Sequence, residues 1–351
     1  MTIKKIVNVL NLKSTPETFI KYESFISMRE NVISKKTLDK AFKFYHLEEE
    51  TDFYQHCLSL IEEFKTNLTL KKAALLIKYI SFKSDGDDFL EMEYWKANPP
   101  RADISALVLL SAVDMHKKAM KRLDKKQRNH QIVGIQETIL RGLKLYKING
   151  ISYGSLAWGI RFVRQLLMKF GRLQFEYSVY HDPFVVAQDK KGNKFVVNAG
   201  DKKSLRCKEI LIQPGDVCIN IHIDRHGRLE PKSVDASLKE AKKNLRKYFP
   251  DTQGKQIVYR CHSWLLSLQM ELFLTKDRHI MYFQSLFLIL PPHEEDTGDD
   301  FYRFLFNMQK SSSDFSVDLL PEDTSLRRNV KKHLLEGKSV QEGRGLIFVE
   351  D

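Results

Sequence analysis

The spacing of apolar positions changes once along the chain, near residue 171. Before that point apolar residues recur three and four apart, the period of a helix with one buried face. Helices are predicted over 36–47, 51–65 and 68–82, with an earlier one starting near Thr15 and carrying Phe19, Tyr22, Phe25 and Ile26 on one side. After a break at Asn98-Pro99-Pro100, two longer helices are expected over 102–123 and 128–147. Leu156, Ile160, Val163, Leu167 and Phe170 then continue the helical spacing, which predicts a last helix closed by Gly171.

From 172 onward the period is two. The run 172–181 alternates, 184–199 reads as a hairpin turned at 190–193, and 207–212 leads into the turn Gln213-Pro214-Gly215. The stretch 216–263 organises the rest. Val217, Ile219, Ile221 and Ile223 alternate with Cys218, Asn220, His222 and Asp224, so one face of this strand is apolar and the other carries a thiol, an amide, an imidazole and a carboxylate. Residues 224–228 turn the chain, with Gly227 supplying the freedom of a tight reversal. Ser237-Leu238-Lys239-Glu240 has the form of a capping box, which predicts a helix starting near Asp235 or Ser237 and ending before Pro250. A second strand over 257–263 carries Cys261, His262 and Ser263 to its C-terminal end, and any site is expected where the two strand ends meet. Beyond it, the pattern predicts a short helix over 264–274, a strand over 280–290, a helix over 299–307, a capped helix from Thr324 or Ser325 to Gly337, and a closing strand. Helices set among mainly antiparallel strands define an α+β fold. The division is a helical domain over 1–171 and a sheet domain over 172–351.

Composition narrows the setting. In 351 residues, 42% hydrophobic and 29% charged, no run reaches the roughly 18 apolar residues of a membrane span. The first residues lack a signal-peptide cleavage pattern, and four cysteines without a CxxC pair make neither a disulfide framework nor a structural zinc site, so the cytoplasm is the expected compartment. The net charge of +12 is concentrated between 101 and 170, densest at 117–128, where Lys117, Lys118, Lys121, Arg122 and Lys125 are expected to share a helical face. A solvated helix end is the simplest reading of that run. A nucleic-acid surface is the weaker one, because no RRM or zinc-finger pattern accompanies it.

The phrases GRLQFEY (171–177), INIHI (219–223), SLKEAKK (237–243), CHSWLL (261–266) and LPEDTSL (320–326) stand in order. On these the chain resembles a family of bacterial two-domain acyltransferase-like proteins, with a helical N-terminal domain and a GNAT-like C-terminal domain. The resemblance covers about residues 100–351. It implies a mixed, mainly antiparallel sheet with flanking helices, and acyl-CoA as donor to an amine or hydroxyl acceptor. GNAT enzymes commonly cradle the CoA pyrophosphate in a glycine-rich loop after the central strand. Here that loop has Gly227 alone, which leaves phosphate to Arg225, Gly227, Arg228, Lys232 and Ser237 near the helix start. The same departure sustains a rival reading: a non-catalytic ligand- or protein-binding protein that keeps the fold.

Acyl transfer needs a base for the acceptor, a polarised carbonyl and a proton for the leaving thiolate. His222 is the first candidate base, Asp224 a candidate to orient it or replace it, and His262 the second histidine. Asn220 and Ser263 flank them. Cys261 and His262 are neighbours on a strand and face opposite sides, so Cys218, on the polar face with His222, is the better placed thiol; its plainer reading is a small buried residue. A metal site would have to join His222, Asp224, His226 and His262 across a turn, and none is predicted.

Overall fold

The computed structural model describes residues 30–83, 101–145, 147–205, 208–224, 227–294, 296–308 and 315–349. The helix predicted from Thr15 and the break at Asn98-Pro99-Pro100 lie outside the described residues. The chain divides into two compact units, Met1–Met168 and Lys169–Asp351.

In the first unit helices follow one another as α1 (Lys35–Phe44), α2 (Thr51–Thr66), α3 (Leu68–Lys83), α4 (Ala102–Ser111), α5 (Val113–Ala119), α6 (Lys125–Leu140) and α7 (Tyr153–Val163). Ser34 caps α1 by accepting the Thr37 N–H, and Leu38, Ala41 and Phe42 form its buried side. Helix α4 is apolar all round, so it packs between α1, α3 and α7, with Ile104 to Leu110 buried on every side. The single helix expected over 102–123 is broken at Ala112. A 3-10 turn, Met120–Arg122, follows α5, and Asp124 then caps α6 through the Gln127 N–H. The basic residues of 117–128 are therefore shared among two helices and a turn and do not form one helical face.

The last helix of this region also ends early. Helix α7 stops at Val163 and Gln165 takes a positive φ of 60°. Leu167 and Phe170 belong instead to strand β1 (Leu167–Phe170), and Gly171, at φ 59°, makes the turn into β2 (Leu173–Val179).

The remaining strands are β3 (Phe184–Gln188), β4 (Lys194–Asn198), β5 (Glu209–Ile212), β6 (Val217–Ile223), β7 (Ile257–Ser263), β8 (Leu288–Ile289) and β9 (Gly343–Val349). Six form a sheet in the order β1-β2-β6-β7-β9-β8, and β4-β3-β5 form a smaller antiparallel sheet. Pairing is antiparallel except between β6 and β7. Helix α8 (Pro231–Tyr248) makes the crossover between those two, burying Val234, Ala241, Leu245 and Tyr248. Phe170, Phe175, Tyr248 and Tyr259 join α8 to its face of the sheet through ring contacts of 5.4–6.1 Å. On the other face, Tyr180, Phe184, Val186 and Ile212 from the region of the small sheet pack with Cys218, Val258, Leu290 and Leu346.

Two further expectations are corrected. Helix α8 starts at Pro231, not at Asp235 or Ser237, because proline suits the first helical position while the Ser-x-x-Glu spacing falls mid-helix. The strand expected over 280–290 is helix α10 (His279–Ser285) followed by the two-residue β8, with α9 (Met270–Phe273) before it. An apolar run without a clear period cannot distinguish the two states, and packing against α8 decides for the helix. Helix α11 (Ser325–Leu335) is capped by Thr324 as its sequence suggests.

Candidate active site

Strands β6 and β7 pair only at Ile219–Tyr259 and Asn220–Arg260, although each is paired along its whole length on its outer side, to β2 and β9. Among the described residues no ladder pair joins the two strands beyond Asn220 and Arg260. Their C-terminal halves therefore form the two lips of an opening in the sheet. The register offset is forty in both pairs, and it places His222 and His262 at equivalent positions, one residue short of each strand end and on the same face.

Each imidazole meets a carboxylate. His222 Nε2 lies 2.7 Å from Glu176 Oε2, a diagonal neighbour on β2, where Gln174 is the residue opposite His222. His262 Nε2 lies 3.1 Å from Asp296 Oδ1, on the loop after β8. Burial, reinforced by the Arg344 and Arg260 charges, holds His262 below the usual histidine range against the opposing pull of Asp296 and Glu342.

Behind the lips runs a buried ionic network. Arg260 donates two 2.6 Å hydrogen bonds to Asp182, and its third nitrogen is 3.5 Å from Asn220 Oδ1. Arg344 donates to Asp182 at 3.1 Å and to Asp296 at 2.9 Å, while the His293 N–H donates to the second Asp296 oxygen. Burial alone would raise the Asp182 carboxyl, but the hydrogen bonds and charge of Arg260 outweigh it and hold the group below the usual carboxylate range. Asn220 thus belongs to a structural network at the base of the opening. Glu176 and Arg260 occupy polar positions of alternating strands and were readable from that alternation. Asp182 and Asp296 sit on loops and carried no sequence signal.

Asp224 is buried with Lys169, whose Nζ is 3.5 Å from its carboxylate. Cys218 packs in the apolar cluster, and Cys261 is buried on the opposite face; burial pushes both thiols up to about 12. A thiol so held is protonated and a poor nucleophile. Ser263 accepts the Leu265 N–H and so starts a 3-10 turn. Trp264 packs edge-on against Phe301, 5.5 Å away.

The turn after β6 is held from outside. Arg172 Nη2 donates to the carbonyls of Asp224 (2.7 Å) and Gly227 (2.9 Å), and Nε to that of Arg228 (3.1 Å). In a trans peptide the N–H points away from the C=O, so this grip turns the Arg228 and Leu229 N–H groups to the side facing away from Arg172. Gly227 has the positive φ, 91°, that the reversal requires. Arg228 and Lys232 are exposed, whereas Arg225 and His226 lie outside the described residues. Ser237 is placed elsewhere: it is buried two turns into α8, accepts the Arg172 N–H at 2.8 Å and donates to the Ser233 carbonyl. Among the described residues no group of three or more His, Cys, Asp or Glu is disposed to hold a metal ion. No described helix is long and apolar enough to cross a membrane.

A family model described as a GNAT-like C-terminal domain matches residues 167–347. Solved structures similar over the whole of both chains include an acyltransferase in complex with decanoyl-CoA and teicoplanin (TM-score 0.70, 18% identity) and an acyltransferase mutant in complex with octanoyl-CoA (TM-score 0.69, 17% identity). A third is an acyltransferase in complex with decanoyl-CoA (TM-score 0.63, 18% identity). At these identities the likeness is one of fold. No curated protein matches the chain.

Proposed function

Since the chain belongs to the family defined by a GNAT-like C-terminal domain, we propose that it transfers an acyl group from acyl-CoA to an amine or hydroxyl acceptor at the opening between β6 and β7. The observation that carries this reading is the splayed parallel pair with a histidine–carboxylate pair on each lip. An opening in a sheet exposes main-chain N–H and C=O groups that an extended amide-bearing chain such as pantetheine can satisfy. An imidazole at the lip is the residue type suited to taking the acceptor's proton near neutral pH. The phosphates of CoA would lie at the turn that Arg172 organises, against the Arg228 and Leu229 N–H groups and the Arg228 and Lys232 side chains. His222 and His262 are the catalytic candidates. Acyl-CoA complexes of the similar structures support the choice of donor.

A second reading is kept alive by the single glycine of that turn: a binding protein that retains the fold without the reaction. Calorimetric titration with CoA and decanoyl-CoA, followed by assay of thiol release, separates the two. Saturable binding with thiol release supports the transferase. Binding with no release from any acceptor supports the binding protein, and no binding refutes the CoA site.

A further inference from the structure

The two lip histidines are held differently, and the difference separates their tasks. The Asp296 side chain is only 1% exposed; it accepts from Arg344 Nε and the His293 N–H, and its Oδ1 lies 3.1 Å from His262 Nε2. An arginine keeps its protons, so Asp296 beside it stays an acceptor. A lone pair on Nε2 would face an acceptor-only oxygen at 3.1 Å, so the neutral ring is expected to carry its hydrogen on Nε2 and its lone pair on Nδ1. About a third of the His262 side chain is exposed, at the lip of the opening, so a bound molecule can reach the ring.

We propose that His262 is the group that accepts the acceptor's proton, with Asp296 as the residue that positions it; this rests on the acyl-transfer reading above and assigns a task within that site. The charged groups facing the ring are Arg260 on its own strand, Arg344 on β9, Glu342 just before β9, Asp296 on the loop after β8 and Asp182 on the loop after β2. Burial and the two arginines outweigh the carboxylates, so the ring is neutral and ready to take a proton near pH 7. In the step itself the acceptor's nitrogen or oxygen forms a bond to the acyl carbon while its proton passes to His262 Nδ1. The C–S bond breaks with its electron pair on sulfur. The same proton then passes from Nδ1 to the CoA thiolate, and His262 ends neutral as it began.

The test uses the full chain with histidine labelled in its ring nitrogens, decanoyl-CoA as the probe, and His262→Gln to assign the signals. In the wild type the His262 ring is expected as the Nε2–H tautomer, titrating below the ordinary value of about 6.5, and its signals shift when decanoyl-CoA saturates the protein. Asp296→Asn is expected to abolish the tautomer preference and to move the acid limb of the pH–rate profile. Thiol release from decanoyl-CoA, with benzylamine, benzyl alcohol or water as acceptor, is expected to fall about 100-fold or more in His262→Gln, with decanoyl-CoA affinity retained. His262 signals that do not move at saturation, or a variant rate within about threefold of wild type, overturn the proposal. Failure of the wild type to bind decanoyl-CoA overturns the acyl-transfer reading itself and is seen independently in the titration.

Discussion

Replacing Asp182 by Asn is the sharpest test of the network behind the opening. Asp182 is 2% exposed and accepts from both Arg260 and Arg344, the second of which is itself 3% exposed. Asn keeps the volume, removes the charge and turns amide hydrogens toward the guanidinium groups. Breaking a buried pair by removing one partner leaves an uncompensated charge, at a cost of about 3–5 kcal/mol. Against a domain stability of about 5–15 kcal/mol, that is a large fraction. Adding Arg260→Met removes one of the stranded cations, so the double variant is expected to be more stable than additivity predicts by about 1–3 kcal/mol. The pH dependence has a defined sign. The Asp182 carboxyl titrates below its ordinary range when folded, so its contribution is present above about pH 4 and is lost as pH falls through the depressed value. Native-state hydrogen exchange of the β7 and β9 amides in rising urea reads this sheet directly. A loss below about 1 kcal/mol at pH 7, or a difference that persists unchanged at about pH 3, would refute the reasoning.

Other expectations follow from single features. His116 is buried with its Nδ1 3.1 Å from the Tyr45 hydroxyl, and burial pulls it down to about 3. The unfolded chain takes a proton near pH 6.5 that the folded one refuses, so stability falls as pH drops below that value, by about 2 kcal/mol at pH 5. Urea unfolding at pH 7 and pH 5 should show this slope flattened in Tyr45→Phe/His116→Leu, and an unchanged slope would contradict it. Arg172→Met releases the turn after β6 and should weaken CoA binding about tenfold by calorimetry, the worth of one or two charge-assisted hydrogen bonds; unchanged affinity would mean the turn holds its shape alone. Cys57, Cys218 and Cys261 are each pushed up to about 12 by burial, so iodoacetamide at pH 8 should leave all three intact in the native protein by mass spectrometry. Rapid alkylation of Cys218 would restore it as a nucleophile candidate.

Much of the sheet was legible because period-two alternation survives in β2, β3, β4, β6 and β7. Strand β1 was hidden because Leu167 and Phe170 happen to continue the helical spacing of Leu156, Ile160 and Val163; the left-handed Gln165 that separates them has no pattern of its own. Helix α10 was hidden for the opposite reason, an apolar run in which both periods fit. The start of α8 was readable from Pro231, but the capping-box spacing at Ser237 and Glu240 competed with it. At the site, the alternation exposed His222 and His262, and the same logic applied to β2 leads to Glu176. Asp182 and Asp296 escape such logic, since they reach the strands from loops and are fixed by partners 78 and 48 positions away.

Strand β9 has a consequence for how the chain is made. It sits between β7 and β8, pairs with seven residues of β7, and carries the arginine that binds Asp182 and Asp296. During translation β7 emerges with one edge bare, β8 has no neighbour, and Asp296 awaits its arginine until residues 343–349 leave the ribosome. The sheet unit therefore closes only once β9 is out, with the face that carries His222 and His262 completed last, and a nascent chain stalled before Gly343 presents an unpaired strand edge for chaperones to cover.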